Sequence, residues 1–394
     1  MKALLINFPL GHMANDWAPA SIWLLAPAIG AAMDLSPSEI GLLITISYMG
    51  ASIGYLPAGI LSDHVSRQGR LLAATFWWVA IGYFLASLAP GFWSLALLLA
   101  IAGMGDAAWH PIATGVLVNQ MPKRRGMVLG IHAMGGTLSE VGAPLTVGLL
   151  LSLFDWRTTL QFSVLPAVIM GIVFVFFSHR IPRSTSVGVS RLELGQLTRN
   201  WMRPDGLLLI GMISVYNMAL MALMSMSPLF LQRELGHTPA TAGAVFASAM
   251  LVGSLLQPLL GRYSDTRDRH MVFIAVSAIG IICAFGAAYF DAAPLIVASL
   301  GASMALLIAV RSGVLASAVD FAGTRAATTL GFVFVLLDGV GALGALLAGM
   351  VAESDLRYCF VLAAVLSMTS VVLAGVIRRR NRLQQPQLNT RFTG

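Results

Sequence analysis

Eight ionisable side chains lie inside long apolar runs of this sequence. They are His12, Asp16, Asp106, His110, His132, Glu140, Arg311 and Asp338. An ionisable residue near the centre of a membrane helix costs roughly 2.5–3.5 kcal/mol on insertion scales, so such residues are few and commonly functional. A carboxylate in a dry site takes up a proton readily, and a nearby imidazole or guanidinium favours its release. This set therefore has the chemistry to move protons across a membrane together with a bound molecule, or in exchange for it.

Four of these residues form two pairs at helical spacing. His12 and Asp16 are four residues apart, as are Asp106 and His110, so each pair shares one face of a helix. We expect these residues to bind substrate or protons. The structural alternatives are a hydrogen-bonded Asp16 near a helix end, and an internal Asp106–His110 pair that supports the chain at Pro111, where the proline frees a backbone carbonyl.

A second stripe joins His132, Gly136 and Glu140 over two helical turns. Glu140 lies in the segment from Gly135 to Pro144, which is rich in small residues. Small residues allow membrane helices to pack closely, and an acid among them can serve to bridge two helices. His132 and Glu140 are therefore candidates for substrate or proton binding, with a structural role as the alternative.

Arg311 is the arginine that falls inside an apolar run. Its guanidinium stays charged at any physiological pH and needs a partner. We expect Arg311 to pair with an acid such as Asp338 or Asp106, or to bind the negative group of a substrate. Asp338 is a candidate site residue as well.

The composition determines which elements hold these residues. The chain is 57% hydrophobic and 10% charged, with a mean hydropathy of +0.82, whereas soluble domains carry about 25% charged residues. The apolar runs are long and do not alternate, so we predict an all-α membrane protein rather than a β-barrel. Twelve spans of about 20 residues or more fit the sequence. They are 5–33, 38–64, 70–89, 92–120, 125–153, 158–179, 205–232, 240–264, 270–290, 294–320, 324–352 and 356–377.

The basic residues predict the orientation. Alternate loops and the two termini hold 20 of the 24 Lys and Arg residues. This positive-inside pattern places both termini in the cytoplasm of a protein of the inner (plasma) membrane. It also accounts for the pI near 9.9, so we expect membrane lipids and not nucleic acid as partners.

Other site types find little support. Cys283 and Cys359 lie in apolar runs and are expected to be buried. The 20 Met residues are expected to form a plastic apolar lining, and a copper path that includes His12 and His132 is the less favoured alternative. No nucleotide-binding loop or paired-Cys metal site occurs. We expect no metal, no cofactor and no enzymatic activity.

One charged loop occurs twice. Its first copy runs from Gly59 through Asp63 and Arg67 to Arg70. The second contains Gly261, Asp265 and Arg269, and lies about 200 positions later. The repeat predicts two six-helix halves, 1–179 and 205–394, joined by a cytoplasmic linker at 180–204, with a basic cytoplasmic tail at the end of the chain. Two halves of this kind bind substrate between them, near the membrane midplane.

The loop resembles the loop between helices 2 and 3 of the major facilitator superfamily, although His64 and Ser66 depart from the usual pattern. The resemblance implies that helices 1, 4, 7 and 10 line a central cavity, so that Asp16, Asp106, His110 and Arg311 face it. It also implies that the two loops form a cytoplasmic gate. The gate residues would be Gly59, Asp63, Arg67, Arg70, Gly261, Asp265 and Arg269.

A narrower resemblance is to the fosmidomycin-resistance group of drug efflux proteins. It is carried by Gly11-His12 with the following Asp16, and by Trp109-His110-Pro111. The segment around Glu140 also resembles the helix-5 motif of exporters, although Ala143 interrupts the expected Gly-Pro. These resemblances imply efflux and drug resistance.

From these observations we expect a proton-coupled secondary transporter that moves a small organic molecule, with Arg311 favouring an anionic one, most simply by efflux in antiport with protons. Proton-symport uptake of a small organic anion or metabolite uses the same residues and is the alternative. A transporter-like sensor or assembly factor is a third interpretation. One chain carries both halves, so we expect it to act as a monomer.

Overall fold

The structure is a computed structural model that describes residues 2–121, 124–181, 195, 198–322 and 331–391. In these ranges every regular element is helical, which confirms the predicted all-α fold. Ten helical segments of the described chain are long and apolar enough to cross a membrane. The long helices Lys2–Met33 and Arg125–Leu150, which carry several of the polar candidates, are additional to these ten, so the count of twelve spans stays a prediction.

The helices before residue 182 form what we call the N-terminal half. They are α1 (Lys2–Met33), α2 (Pro37–Ser52), α3 (Tyr55–His64), α4 (Gln68–Ser87), α5 (Phe92–Gln120), α6 (Arg125–Leu150), α7 (Trp156–Ser163) and α8 (Leu165–Phe177), followed by a 3-10 turn at Ser178–Arg180.

The helices after residue 197 form the C-terminal half. They are α9 (Pro204–Arg233), α10 (Pro239–Asp265), α11 (Arg269–Tyr289), α12 (Ala293–Ala309), α13 (Arg311–Ala322), a π-helical stretch (Val335–Val340), α14 (Leu343–Ala352) and α15 (Tyr358–Arg391). Most of the predicted linker lies outside the described residues, so the division into domains stays a prediction.

The basic tail of the sequence is part of a helix. The last predicted span ends at residue 377, but α15 continues to Arg391. Arg378 is held by Asp268, whose oxygen Oδ2 lies 2.6 Å from Nε of the arginine, and Arg380 is held by Asp205 at 3.0 Å. These ion pairs attach the extension of α15 to the starts of α11 and α9.

Local sequence signals explain where several helices begin. Ser36 and Glu39 form a capping box at the start of α2, in which each side chain accepts a hydrogen bond from the backbone N–H of the other residue. Asp155 caps α7 by accepting from the N–H of Thr158 at 2.8 Å. This hydrogen bond lowers the pKa of the Asp155 carboxyl, because it stabilises the charged form.

Three irregular points in the membrane helices lie beside polar candidates. The second predicted span is broken at Gly54, and α3 begins at Tyr55. The tenth is interrupted at Val310, so Arg311 is the first residue of α13. Asp338 lies within the π-helical stretch. Breaks and π-turns in membrane helices commonly occur at functional positions, where they change the direction of side chains.

The outer surface of the bundle is apolar. Large side chains such as Phe176 and Ile282 are 74% and 70% exposed, which a water-soluble protein would avoid over so wide an area. Buried aliphatic and aromatic residues fill the interior of each half. The apolar exterior therefore faces lipid.

The two halves contact each other closely at one end of the molecule. Near the start of α2, a Cβ atom on Gly41 would overlap the carbonyl oxygen of Ala345 in α14. Near the end of α6, a Cβ atom on Gly148 would lie 2.6 Å from the carbonyl oxygen of Pro239 in α10. We call this the closed end. The repeated loops after α3 and α10 lie at the opposite end, which we call the loop end.

Polar groups add to this contact. The Thr45 hydroxyl in α2 donates to the carbonyl of Ala342 at 2.8 Å and accepts from the N–H of Leu346 at 3.1 Å. The N–H of Ser38 donates to Oε1 of Glu353 at 2.9 Å. Because the partners belong to different halves, these hydrogen bonds must break if the closed end opens.

Candidate functional site

The two predicted His–Asp pairs form a single cluster between α1 and α5. Nε2 of His12 lies 3.2 Å from Oδ2 of Asp16. Nε2 of His110 lies 3.9 Å from Oδ1 of Asp16 and 4.0 Å from Oδ2 of Asp106. We call these four residues the N-terminal cluster. The sequence predicted each pair separately, and the packing of α1 against α5 places Asp16 between the two imidazoles.

Asn15 is a member of the site that sequence reasoning missed. It is fully buried, and its side-chain amide donates to Oδ1 of Asp106 at 2.7 Å. This bond fixes the orientation of the Asp106 carboxylate. The available signal was an amide side chain next to Asp16 inside an apolar run, because a buried amide must find a hydrogen-bond partner.

His132 lies behind His12 rather than on the cavity surface. Its side chain is 4% exposed, and its ring stacks on that of His12 with centroids 4.3 Å apart. Its backbone carbonyl oxygen lies 2.8 Å from Nδ1 of His12. His132 therefore supports His12 from α6, and its part in binding substrate or protons stays a prediction.

The glycine-rich segment of α6 allows this close approach. A Cβ atom on Gly135 would overlap the carbonyl oxygen of Pro9, and one on Gly136 would lie 3.0 Å from Cε1 of His12. A Cβ atom on Gly142 would lie 2.7 Å from the Trp17 ring. Small residues are needed at these positions because α1 packs directly onto the α6 backbone.

Glu140 forms an ion pair with Arg311, across the two halves. Oε1 of Glu140 in α6 lies 3.8 Å from Nη1 of Arg311 at the start of α13. The sequence-based expectation named Asp338 or Asp106 as the acidic partner, and the structure shows that Glu140 takes this place. The two side chains remain 37% and 28% exposed, so the pair is reachable from the space between the halves.

Asp338 forms a further polar link between the halves. Its Oδ2 accepts a hydrogen bond from the hydroxyl of Tyr55 at the start of α3. The Tyr55 ring stacks on Phe334, with centroids 5.6 Å apart. Sequence reasoning missed Tyr55, because its partner is distant in the sequence and the break at Gly54 that orients it has no strong local signal.

The partly exposed polar residues of both halves face one another. Asp16, Asp106 and His110 are 16–20% exposed and lie on α1 and α5, while Arg311 and Glu140 pair across the interface. Since the halves meet at the closed end and these side chains are partly exposed, we infer that the space between them opens towards the loop end. We call it the cavity.

The repeated loops are differently arranged in the two halves. Arg269 pairs with Asp265 at 3.0 Å and also contacts Asp320, so it ties α10, α11 and α13 of the same half together. Gly261 of this loop lies at the crossing of α10 and α13, where a Cβ atom would be 3.3 Å from Oγ of Ser312.

In the N-terminal half, Gly59 lies where α3 crosses α5, with room for a Cβ atom 3.6 Å from Pro111. Arg67 and Arg70 are exposed. With His179 they line a separate pocket of about 190 Å³ at the loop end, within the N-terminal half. Asp63 belongs to α3, but its side chain lies outside the described residues. A gate that joins the halves through these loops stays a prediction.

The N-terminal cluster also has the composition of a metal site. One ligand atom each from His12, Asp16 and His110 can be chosen so that all three lie within 4.8 Å of one another. Two imidazole nitrogens and a carboxylate are a common donor set for transition-metal ions.

Comparison with known proteins is consistent with this geometry. The Ectoine/proline transporter ProP of Corynebacterium glutamicum is 28% identical over 276 residues, which are 60% of this chain and about half (53%) of ProP. The nitrite extrusion protein of Bacillus subtilis is 23% identical over 276 residues, 67% of each chain. A bacterial homologue of the human lysosomal transporter Spinster, solved in an inward-facing and unoccupied conformation, superposes with a TM-score of 0.79 at 18% identity, over 96% of this chain and 97% of the other.

At this level of identity the solved structure shows that the fold is shared. The family model described as Major Facilitator Superfamily matches residues 10–345, which is most of the chain. The chain is therefore a multi-pass membrane protein that belongs to the Major Facilitator Superfamily, a family of transporters and not of enzymes.

Proposed function

We propose that the protein is a proton-coupled secondary transporter of a small organic anion, in which Arg311 binds the anionic group and Glu140 carries the proton. The observation that carries this proposal is the Glu140–Arg311 ion pair, which spans the halves and is open to the cavity. In alternating access such a pair must separate or be replaced as the halves move.

The pair determines how proton and substrate bind. Arg311 keeps its charge and needs a negative partner. While Glu140 is ionised, it pairs with the guanidinium of Arg311 and competes with any other anion. When Glu140 is protonated, Arg311 is free to bind the anionic group of a substrate. Proton and anion therefore bind together, and the geometry favours symport, which was the alternative in the sequence-based interpretation. An inward proton gradient would then drive uptake.

The named substrates of two relatives are compatible with an anionic group. Proline and ectoine carry a carboxylate, and nitrite is an anion. We propose that the N-terminal cluster contacts the remaining polar part of the substrate, because its acids and His110 are partly exposed.

Efflux by proton antiport is the second candidate. It is favoured by the position of α6, which resembles the exporter segment and packs against both α1 and α10: Gly135 meets Pro9, and the carbonyl of Pro144 lies 2.6 Å from where a Cβ atom on Gly243 would be. The narrower resemblance adds fosmidomycin, a phosphonate, as a candidate substrate. Here proton and substrate would bind alternately.

The experiment that separates these modes measures the direction of proton movement. The chain is reconstituted into proteoliposomes that contain a pH-sensitive dye, and proline, ectoine, nitrite, benzoate or fosmidomycin is added outside. Symport acidifies the lumen and antiport makes it more alkaline. The Asp291→Asn variant changes an acid in an exposed loop. It controls for unspecific effects of substitution and should move protons as the wild type does. If none of a wider set of organic anions moves protons or is exchanged, the transport proposal fails and a sensor or assembly role gains support.

We also propose that the protein lies in the inner membrane with both termini in the cytoplasm. We propose further that it functions as a monomer. The loop end, which carries most of the basic residues, would then face the cytoplasm. In that orientation the cavity would open to the cytoplasm.

A further inference from the structure

We propose that His12, Asp16 and His110 form a binding site for one divalent transition-metal ion of the zinc, cobalt or nickel class. The inference does not depend on the proposed transport function, because binding of the ion is measured without transport. It revises the expectation from the sequence, which predicted no metal site.

The distances between the donor atoms are close to those of a coordinated ion. Asp16 lies 3.2 Å from Nε2 of His12 and 3.9 Å from Nε2 of His110. Zinc bonds to nitrogen and oxygen are about 2.0–2.1 Å long, which places tetrahedral ligands about 3.3 Å apart. All three donor atoms lie within 4.8 Å of one another, so His110 must move towards His12 and Asp16 to coordinate the same ion.

The donor set favours a transition metal over magnesium or calcium. Two imidazole nitrogens and one carboxylate oxygen suit zinc, cobalt and nickel, whereas magnesium and calcium prefer oxygen donors only. Asp106 adds a second carboxylate, 4.0 Å from Nε2 of His110. The two carboxylates balance the charge of a divalent ion.

The surroundings of His12 are those of a metal ligand. Its Nδ1 lies 2.8 Å from the carbonyl oxygen of His132. A carbonyl can only accept, so Nδ1 carries the hydrogen. Nε2 lies 3.2 Å from Oδ2 of Asp16, to which it donates while the ring is protonated, and a metal ion would replace that proton. Backbone partners of this kind fix the tautomer of histidine ligands in metal sites. The stacked ring of His132, 4.3 Å away, holds the imidazole in place.

One oxygen of the Asp16 carboxylate is available to bind a cation. Oδ1 of Asp16 is buried and has no hydrogen-bond donor among the described residues while Asp106 is ionised, and it lies 3.9 Å from Nε2 of His110. A protonated Asp106 is the neighbour that could donate to Asp16 instead. A buried carboxylate oxygen without a partner is costly, and a bound cation would satisfy it.

The location of the site predicts when it is accessible. His12, Asp16 and His110 all belong to the N-terminal half, so the ion needs no residue from the other half. Their side chains are 12–20% exposed and are reached from the loop end. The ion should therefore bind the state seen here, without closure of the cavity.

The test is a zinc titration of the purified, chelator-treated full chain in detergent, followed by calorimetry. We expect one zinc ion per chain, a cobalt absorption spectrum typical of tetrahedral nitrogen and oxygen ligands, and no binding of magnesium. His110→Asn and Asp16→Asn should each weaken zinc binding at least about 10-fold, because even the loss of a residue that only supports a metal ligand has an effect of this size.

Controls separate this site from adventitious ions. A triple variant with His64, His179 and His237 replaced by Ala should keep the wild-type zinc affinity. Zinc should raise the melting temperature of the wild type and leave that of the folded His110→Asn and Asp16→Asn variants unchanged. The proposal is overturned if zinc does not bind the folded wild type, or if both the His110→Asn and Asp16→Asn variants bind it as well as the wild type does.

Discussion

Glu140 and Arg311 form an ion pair between the two halves of the molecule, with Oε1 of the acid 3.8 Å from Nη1 of the arginine. The pair lies beside the N-terminal cluster and is partly exposed to the cavity. It connects two processes that a coupled transporter must link, namely proton binding in one half and anion binding in the other.

Replacing Arg311 by Lys should weaken substrate binding although the positive charge is kept. The guanidinium offers several donors in a fixed plane, which a lysine ammonium does not reproduce. Hydrogen bonds to charged groups contribute about 1.5–3 kcal/mol, so we expect a roughly 10- to 100-fold loss of affinity. Equilibrium binding of a transported anion to the purified variant measures this. Unchanged affinity in Arg311→Lys would show that the arginine does not contact the substrate.

The Tyr55→Phe change should shift the molecule away from the state seen here. The tyrosine hydroxyl donates to Asp338 across the halves. Its loss removes a hydrogen bond between the halves in this state and keeps the ring stacked on Phe334. Spin labels at Leu153 and Asp291, both exposed at the closed end, report the separation of the halves once Cys283 and Cys359 are replaced by Ser. We expect more of the population with a long distance. An unchanged distance distribution would mean that the hydrogen bond does not help to hold this state.

The Gly41→Ala change should hinder contact at the closed end. The added Cβ atom would overlap the carbonyl oxygen of Ala345, and the backbone there cannot move away without separating α2 from α14. Transport should fall strongly, while the protein remains folded in the opposite state. Gly115→Ala is the matched control, because a Cβ atom at Gly115 meets nothing within 4 Å. Equal transport by the two variants would contradict the close approach.

Acid should loosen the closed end through Glu353. The backbone N–H of Ser38, which donates to this carboxylate at 2.9 Å, and the hydroxyls of Ser38 and Ser36 lower the pKa of Glu353. A lowered pKa means that the contact stabilises the closed end fully above the ordinary carboxyl pKa of about 4.3 and is lost as the pH falls below it. The spin-label distance should therefore stay constant down to about pH 4.3 and lengthen as the pH falls below it.

Glu353→Gln is the control for that titration, since its amide does not titrate in this range. Its distance distribution should be independent of pH. A variant that responds to acid as the wild type does would assign the effect to other carboxylates.

The helices themselves were largely predictable from the sequence. The predicted bounds of span 4, 92–120, are those of α5 (Phe92–Gln120), because a long apolar run between charged loops has one stable solution in a membrane. The end of α15 was missed, since hydropathy does not detect a helix that continues into water. The breaks before Tyr55 and Arg311 depend on packing between helices and were not predicted.

The candidate site was predictable where its geometry is local. His12 with Asp16, and Asp106 with His110, follow from a spacing of four residues. The partners that cross between helices do not: Glu140 with Arg311 and Tyr55 with Asp338 depend on how the halves meet. The superfamily assignment is confirmed by the family match, and the narrower efflux group stays a proposal.

The pH dependence of anion binding in the wild type and in Glu140→Gln tests whether Glu140 couples proton binding to anion binding. We expect wild-type affinity to rise as the pH falls, because protonation of Glu140 frees Arg311 for the substrate. Glu140→Gln should bind the anion tightly at every pH, since the amide leaves the guanidinium free. If the variant binds more weakly than the wild type, or keeps the full pH dependence, Glu140 does not link proton binding to anion binding and the proposed coupling is wrong.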